Sequence, residues 1–346
     1  MNEKIINLQA WLKTAWDSKE PWFSANNNHA QREQLCRAAK NLAIRAYSEQ
    51  DDHALTQLHQ CLSLIYRHEF ECTQFDHIDI EARPILSEIL SILEDAMLQH
   101  EIREIGPTNT LDYPAQGTQY VKWLKKLISQ CPSSVHEFYT EFLSERATAE
   151  DLKYYLIQET NLDPRFDDIL AFMQVGLPVE QKIELAKNYF DEMGNGQAAE
   201  VHSRIFFETL EAVGATPHDF SRNMLTNSIA SGNLSACLVL SRRHFYKAVG
   251  YFGVTEYLAP RRFKHVIKAW KRNNLPVDGA KYHNLHIYID TEHANGWFNN
   301  VVAPLVEQDP RIGEEIAKGA LMRINSSARY LDELTKKLST TTPLTV

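Results

Sequence analysis

The sequence predicts an all-α fold. Apolar residues recur at i, i+3, i+4 and i+7 through nearly the whole chain, and strand-like alternation is hard to find. The clusters of glycine and proline fall between the periodic segments.

Taken in order, residues 3–17 align Ile6, Leu8, Trp11, Leu12 and Trp16 on one stripe, and 29–48 do the same with Leu35, Ala38, Ala39, Leu42 and Ile44. A third helix is expected over 53–67, from Leu55, Leu58, Leu62 and Ile65. A fourth, over 84–99, carries Ile85, Ile89, Ile92, Leu93 and Met97, with Pro84 suited to a first helical turn. Four amphipathic helices need cover for their apolar stripes, either from the rest of the chain or from a second subunit. A homodimer is therefore the expected assembly. The stretch from Gly106 to Gly117 is rich in breakers and nearly free of apolar residues, and it reads as a boundary. The expected organisation is an N-terminal helical region over 1–105, a linker over 106–117, a principal domain over 118–338 and a disordered tail over 339–346.

The principal domain opens with helices near Tyr120–Leu127 and His136–Leu143. Thr148-Ala-Glu-Asp151 resembles a capping box, and it starts a helix that reads through to Glu159. Further helices are expected at about 166–176, 179–193, 198–213, 222–242, 243–258, 261–273, 280–297 and 299–338, punctuated by Gly176-Leu-Pro178, Gly214 to Pro217 and Pro276.

At 346 residues, with 44% hydrophobic and 23% charged residues, the chain has the composition of a folded globular protein. A net charge of −9 argues against a general nucleic-acid binder, which needs a basic surface. No stretch approaches the ~18 uninterrupted apolar residues of a membrane span, and the first residues lack the apolar core of a signal peptide. The five cysteines are widely spaced and form no C-x-x-C, which points to reduced thiols in a cytoplasm.

The stretch with the most chemistry is His286-Ile-Tyr-Ile-Asp290-Thr-Glu-His293. On a helix its polar residues at i, i+4 and i+7 fall within about 60° of one another, on one face. Two imidazoles and a carboxylate suit a divalent metal of intermediate hardness, iron above all, with zinc and manganese as alternatives. Three ligands leave such an ion unsaturated, so other helices must supply more. Upstream, Glu192 and His202 lie ten residues apart across Gly194-Asn-Gly196. An ideal helix would set them about 80° apart, but the glycines allow a break that turns both inward. Glu256 is one acid in the otherwise apolar run Ala248–Pro260, where a carboxylate is costly to bury unless paired or bound to a cation. Gly250 and Gly253 in that run invite close approach by a neighbouring helix. Glu159 ends the aromatic run Tyr154-Tyr155-Leu-Ile-Gln. Each acid alone reads as easily as a helix-end charge or half of a salt bridge.

The order E…E-x9-H…E…H-x3-D-x2-H resembles the haem-oxygenase-like di-iron oxidases and oxygenases, also called iron-containing redox enzymes. The resemblance rests on Tyr-Leu-Ile-Gln-Glu159, Asp-Glu192-Met-Gly-Asn-Gly with His202, Gly-Val-Thr-Glu256-Tyr-Leu-Ala-Pro, and His286-x3-Asp290-x2-His293-Ala. It covers about residues 118–310. It implies a haem-oxygenase-like helical bundle, here with an extra N-terminal helical region. It also implies Glu192, His202, Glu256, His286, Asp290 and His293 as ligands of two Fe(II) ions, with Glu159 matching an additional carboxylate of some members. Glu192, Glu256 and Asp290 are the acids it places at the reacting centre. Some members carry a further ligating Glu three residues before the histidine equivalent to His202, and here that position is Ala199. The activity implied is oxidation of a small organic substrate (amino acid, amine or fatty acid) by O2, through N-oxygenation, desaturation or C–C cleavage.

A haem-oxygenase-like ligand- or partner-binding module without catalytic iron is the competing reading. A b-type haem would leave the acids unexplained, and a zinc hydrolase would not need so many carboxylates. Tyr251, Phe252, Tyr257, Tyr288 and Trp297 lie near the ligands in sequence and are either pocket walls or core aromatics. Arg261 and Arg262 read either as partners for a substrate carboxylate or as a solvated helix start.

Overall fold

The computed structural model describes residues 6–108 and 111–341. Every regular element among them is helical, as expected. The chain forms two compact units, one up to Glu104 and one from Ile105 onward.

The first unit is built from α1 (Leu8–Ala15), α2 (Glu20–Asn27), α3 (His29–Tyr47), α4 (Asp52–Phe70) and α5 (Arg83–Ile105). Residues 3–5 of the first expected helix lie outside the described residues. Helix α2 was not anticipated, because Glu-Pro-Trp-Phe-Ser-Ala-Asn-Asn is short and has no clear period; Pro21 at its start sets it up. The stripes of α1, α3 and α4 close on one another around Leu12, Trp22, Leu35, Leu58, Leu62 and Ile65, all fully buried. Helix α5 is tied in by polar contacts: Tyr66 donates to Glu94 at 2.6 Å, Arg32 pairs with Glu88, and the Ile85 amide donates to Asn26 at 2.9 Å. The stripes are thus largely covered within this unit, although Ile44 of the expected α3 stripe stays 50% exposed.

In the expected linker, Asn109 and Thr110 lie outside the described residues. The second unit begins its regular structure with α6 (Gly117–Gln130), a π-helical turn at Phe138–Leu143 and α7 (Ala149–Glu159). Thr148 and Asp151 form the capping box of α7 reciprocally: Thr148 Oγ1 accepts from the Asp151 amide at 3.2 Å, and Asp151 accepts from the Thr148 amide at 2.8 Å. Next come α8 (Phe166–Gln174), α9 (Val179–Glu192), α10 (His202–Ala212), α11 (Pro217–Arg222) and α12 (Thr226–Leu240). The unit is completed by α13 (Phe245–Arg272), α14 (Lys281–Gly296), α15 (Ala303–Gln308) and α16 (Ile312–Thr341).

The central helix is α13, which packs along both α14 and α16. Gly250 of α13 lies against the Ile316 carbonyl, and Gly319 of α16 lies against the Lys247 carbonyl. A Cβ at either position would collide with backbone, so glycine sets the spacing of this pair. Three sequence expectations are corrected here. The helices expected at 243–258 and 261–273 are one, because Pro260 sits inside α13. That proline deprives the Glu256 carbonyl of its helical donor, and packing on both flanks offsets the loss. The single helix expected over 299–338 is divided: a π-helical turn at Trp297–Val302 follows α14, α15 is short, and the chain opens at Asp309 before Pro310. A residue preceding proline disfavours the α region, and Asp309 is extended (φ −148°, ψ 101°). Finally, α16 runs to Thr341, into the segment expected as a disordered tail from 339; residues 342–346 lie outside the described residues.

Candidate metal centre

Helix α14 places His286, Asp290 and His293 on its buried face, each about 4% exposed, while Tyr288 between them is 76% exposed. The 3.6-residue period does this alone. Facing α14, α13 contributes Glu256, 2% exposed. Glu192 is the last residue of α9 and His202 the first of α10. Between them Gly194, Asn195 and Gly196 all take positive φ (61°, 54° and 83°), which ends the helix and reverses the chain. The ~80° that an ideal helix would place between Glu192 and His202 is thereby removed. Ala199, at the position where some members carry a glutamate, is exposed beyond this turn.

The six side chains fall into two buried groups, Glu192–His202–His286 and Glu256–Asp290–His293, in each of which one potential ligand atom per residue lies within 4.8 Å of the others. In the first, His202 Nδ1 is 2.7 Å from Glu192 Oε2, and His286 Nε2 is 3.8 Å from Glu192 Oε1. His286 Nδ1 lies 2.8 Å from the Tyr282 carbonyl, a contact that fixes the ring with Nε2 toward Glu192. In the second, His293 Nδ1 is 3.6 Å from Glu256 Oε2, and its other nitrogen, Nε2, is 3.1 Å from Asp191 Oδ2. A carboxylate behind an imidazole fixes the tautomer and strengthens the nitrogen in front.

These residues fit a metal. His202 Nδ1, His293 Nδ1 and Glu256 Oε1 are fully enclosed without a well-aligned hydrogen bond, the two nitrogens facing only the carboxylates of Glu192 and Glu256 at 2.7 and 3.6 Å. No lysine or arginine among the described residues is ion-paired with Glu192 or Glu256; their ionic contacts are to histidines. Buried acids and lone pairs aimed at one another are costly unless a cation lies between them. Mixed nitrogen and oxygen donors suit Fe(II).

The electrostatics of the two groups differ. Burial pushes the Glu192 carboxyl up, but His202 and His286 outweigh it and hold it down to about 2. Burial likewise lowers His293, but Glu256 and Asp191 outweigh it and raise the imidazole to about 9. Burial, then Glu256, Glu192 and Asp163, push Asp290 well above the usual carboxylate range. The first group presents an ionised acid, and the second holds protons that a metal must displace.

A model of the iron-containing redox enzyme family matches residues 153–328, about half of the chain and a segment that contains both groups. The chain belongs to this family. No match was found among curated proteins. Membership makes the protein an iron-dependent redox enzyme, and the two buried groups are consistent with a site for two metals of such an enzyme.

The structure leaves Glu159 out of both groups. Its Oε1 accepts from Tyr330 at 2.9 Å, and while burial raises its carboxyl, Tyr330, Arg323 and Arg262 draw it back. Tyr330 is 171 residues away in sequence, so no local pattern announces this partner. Arg262 is buried, donates to the Ser133 carbonyl at 3.1 Å and lies over Tyr139; Arg261 donates to the Tyr257 hydroxyl at 2.7 Å. Neither lines the cavity beside the metal groups. That cavity, of about 40 Å³, is walled by Leu162, Asp163, Phe166, Thr255, Ala259, Phe263 and Tyr282 together with Glu192, Glu256, His286 and Asp290. None of the five aromatics singled out from sequence is part of it. Tyr251, Phe252 and Trp297 are core residues, with Trp297 Nε1 donating to the Val249 carbonyl at 3.0 Å. Asp191 and Asp163 were missed. Asp191 sits beside Glu192, and only the positions of α9 and α14 reveal that it backs His293.

The turn at Gly194 can be tested directly. A Cβ there would meet the backbone of Glu200 and Val201, and φ is +61°. Gly194→Ala is expected to destabilise the fold by about 1–3 kcal/mol and to lower iron content by separating Glu192 from His202. Thermal unfolding and metal analysis after anaerobic Fe(II) loading check this; an unchanged midpoint and full iron would refute it.

Proposed function

We propose that this iron-containing redox enzyme is a non-haem di-iron oxygenase or oxidase that uses O2 to oxidise a small organic substrate. The carrying observation is that two donor groups, each with acid and imidazole ligands, share one cavity wall: Glu192 and His286 from one, Glu256 and Asp290 from the other. In this reading Glu192, His202 and His286 hold one iron, and Glu256, Asp290 and His293 hold the second. Two such irons together supply the electrons that O2 reduction requires.

The protein's own residues set the conditions for that chemistry. The Tyr282 carbonyl and Asp191 orient the His286 and His293 rings before any ion arrives. Such preorganisation limits reorganisation during reaction. Leu162, Phe166, Ala259 and Phe263 give the cavity beside the ligands apolar lining, which limits the water it can hold. Asp290 and His293 carry protons that a metal would displace to solvent on binding, so loading of this group is coupled to proton release.

The test is anaerobic loading with Fe(II), metal analysis, and then exposure to O2 under stopped-flow absorption with candidate amines and acids. Two irons per chain and substrate-dependent O2 consumption are expected. One iron per chain after saturating loading, or none, would contradict the di-iron reading.

A further inference from the structure

We propose that Asp163 anchors a protonated amine of the substrate, which makes a small amine with an apolar chain the substrate class of this site. The assignment rests on the di-iron reading, because it concerns the remaining wall of the same cavity.

Asp163 is the one carboxylate of the wall that belongs to neither metal group. Its Oδ2 is fully enclosed and has no hydrogen-bond partner. Tyr282 hydrogen-bonds the Asp163 carboxyl but leaves Oδ2 without a partner, while Glu159 accepts from Tyr330 and Arg323 Nε donates to Thr255 at 2.9 Å. A carboxylate oxygen in this position is costly to bury unless a donor or cation arrives in the cavity.

The rest of the wall suits an alkylammonium. Phe166, Phe263 and Tyr282 bring aromatic rings to the same cavity, and ring faces attract ammonium groups. Leu162 and Ala259 offer apolar contact to a chain. At about 40 Å³ the cavity has room for an ammonium head but cannot enclose a long chain. Leu162, Phe166 and Ala259 are only half-buried, so a chain can run outward past them. Glu192, Glu256 and Asp290 would be committed to the metals, which leaves Asp163 as the acid of this wall for an ammonium head; a substrate carboxylate would meet it as a second acid.

The experiment uses Fe(II)-loaded protein under anaerobic conditions, titrated calorimetrically with n-butylamine, n-butanol and n-butyrate. Parent protein and Asp163→Asn are compared, with Asp163→Ser beside them in case the amide does not fold. Iron content and thermal midpoint are measured first. The parent is expected to bind butylamine at least tenfold more tightly than the alcohol or the acid. Both variants should lose at least tenfold in amine affinity while keeping alcohol affinity and iron content. Equal amine affinity in parent and variants, or no amine preference in a parent that holds two irons, would overturn this assignment alone. Lost iron in the variants would show Asp163 to be a metal ligand and overturn it too. A parent that fails to hold two irons would instead overturn the di-iron reading, and this assignment with it.

Discussion

Asp290→Ala is expected to halve iron content to about one per chain and to lower substrate-dependent O2 consumption by at least about 100-fold, while making the metal-free protein more stable. Both effects have one origin. Asp290 is 4% exposed, and burial together with the nearby acids Glu256, Glu192 and Asp163 pushes its carboxyl well up. Without metal it is a burden, and its removal should raise the midpoint by about 2–4 °C, the equivalent of roughly 1 kcal/mol. In the proposed di-iron site it would complete the set with Glu256 and His293, and its loss would leave the second ion only two donors. His293→Ala should behave oppositely in the metal-free protein. It removes an imidazole paired with Glu256 at 3.6 Å and Asp191 at 3.1 Å and leaves a cavity, so a loss of about 2–3 kcal/mol is expected. Metal analysis and thermal unfolding of both variants decide the matter. Full iron retention in Asp290→Ala would remove that residue from the ligand set.

Raising the pH from 6.5 to 9 is expected to weaken the metal-free fold and strengthen metal binding at the same time. His293 is raised from an ordinary 6.5 to about 9 in the folded protein. Its proton therefore favours the native state. That contribution is fully present below 6.5 and is lost as pH rises through 9, to the extent of about 3 kcal/mol. A metal must displace the same proton. Affinity of the Glu256–Asp290–His293 group for a divalent ion should therefore climb about tenfold per pH unit to about pH 9, and more steeply where Asp290 also sheds a proton. Glu192, held down to about 2, has the opposite sign. Its contribution to stability is present above its ordinary 4.5 and is lost as pH falls toward 2, so its group already offers an anion at pH 6. Calorimetric titration with Mn(II) across pH 6–9, in buffers of different ionisation heat, should show the second ion binding with proton release and the first far less so. Two sites with the same flat pH dependence would contradict the assignment of His293.

What could be read from the chain alone is what depends on local periodicity. The face shared by His286, Asp290 and His293 follows from 3.6 residues per turn, and no partner is needed to define it. Glu256 stood out for a related reason, as one acid in a helix otherwise destined for burial, and the structure buries it at 2% exposure. The period likewise marked most helices of both units, because each must bury an apolar stripe somewhere.

The tertiary structure decided everything that joins separate helices. Glu192 and His202 meet because three consecutive residues take positive φ, a conformation that the glycines permit and that helical geometry cannot foretell. Glu159 and Asp163 lie one helical turn apart in sequence yet have different surroundings. Tyr330 reaches Glu159 from α16, whereas no donor reaches Asp163 Oδ2. Pro260 read as a break, and α13 runs through it because α14 and α16 pack against both of its sides. A helix's own sequence specifies which face it must bury, but the groups that meet that face come from distant parts of the chain. Their side chains decide whether a buried acid is left to bind a metal, a tyrosine or a substrate.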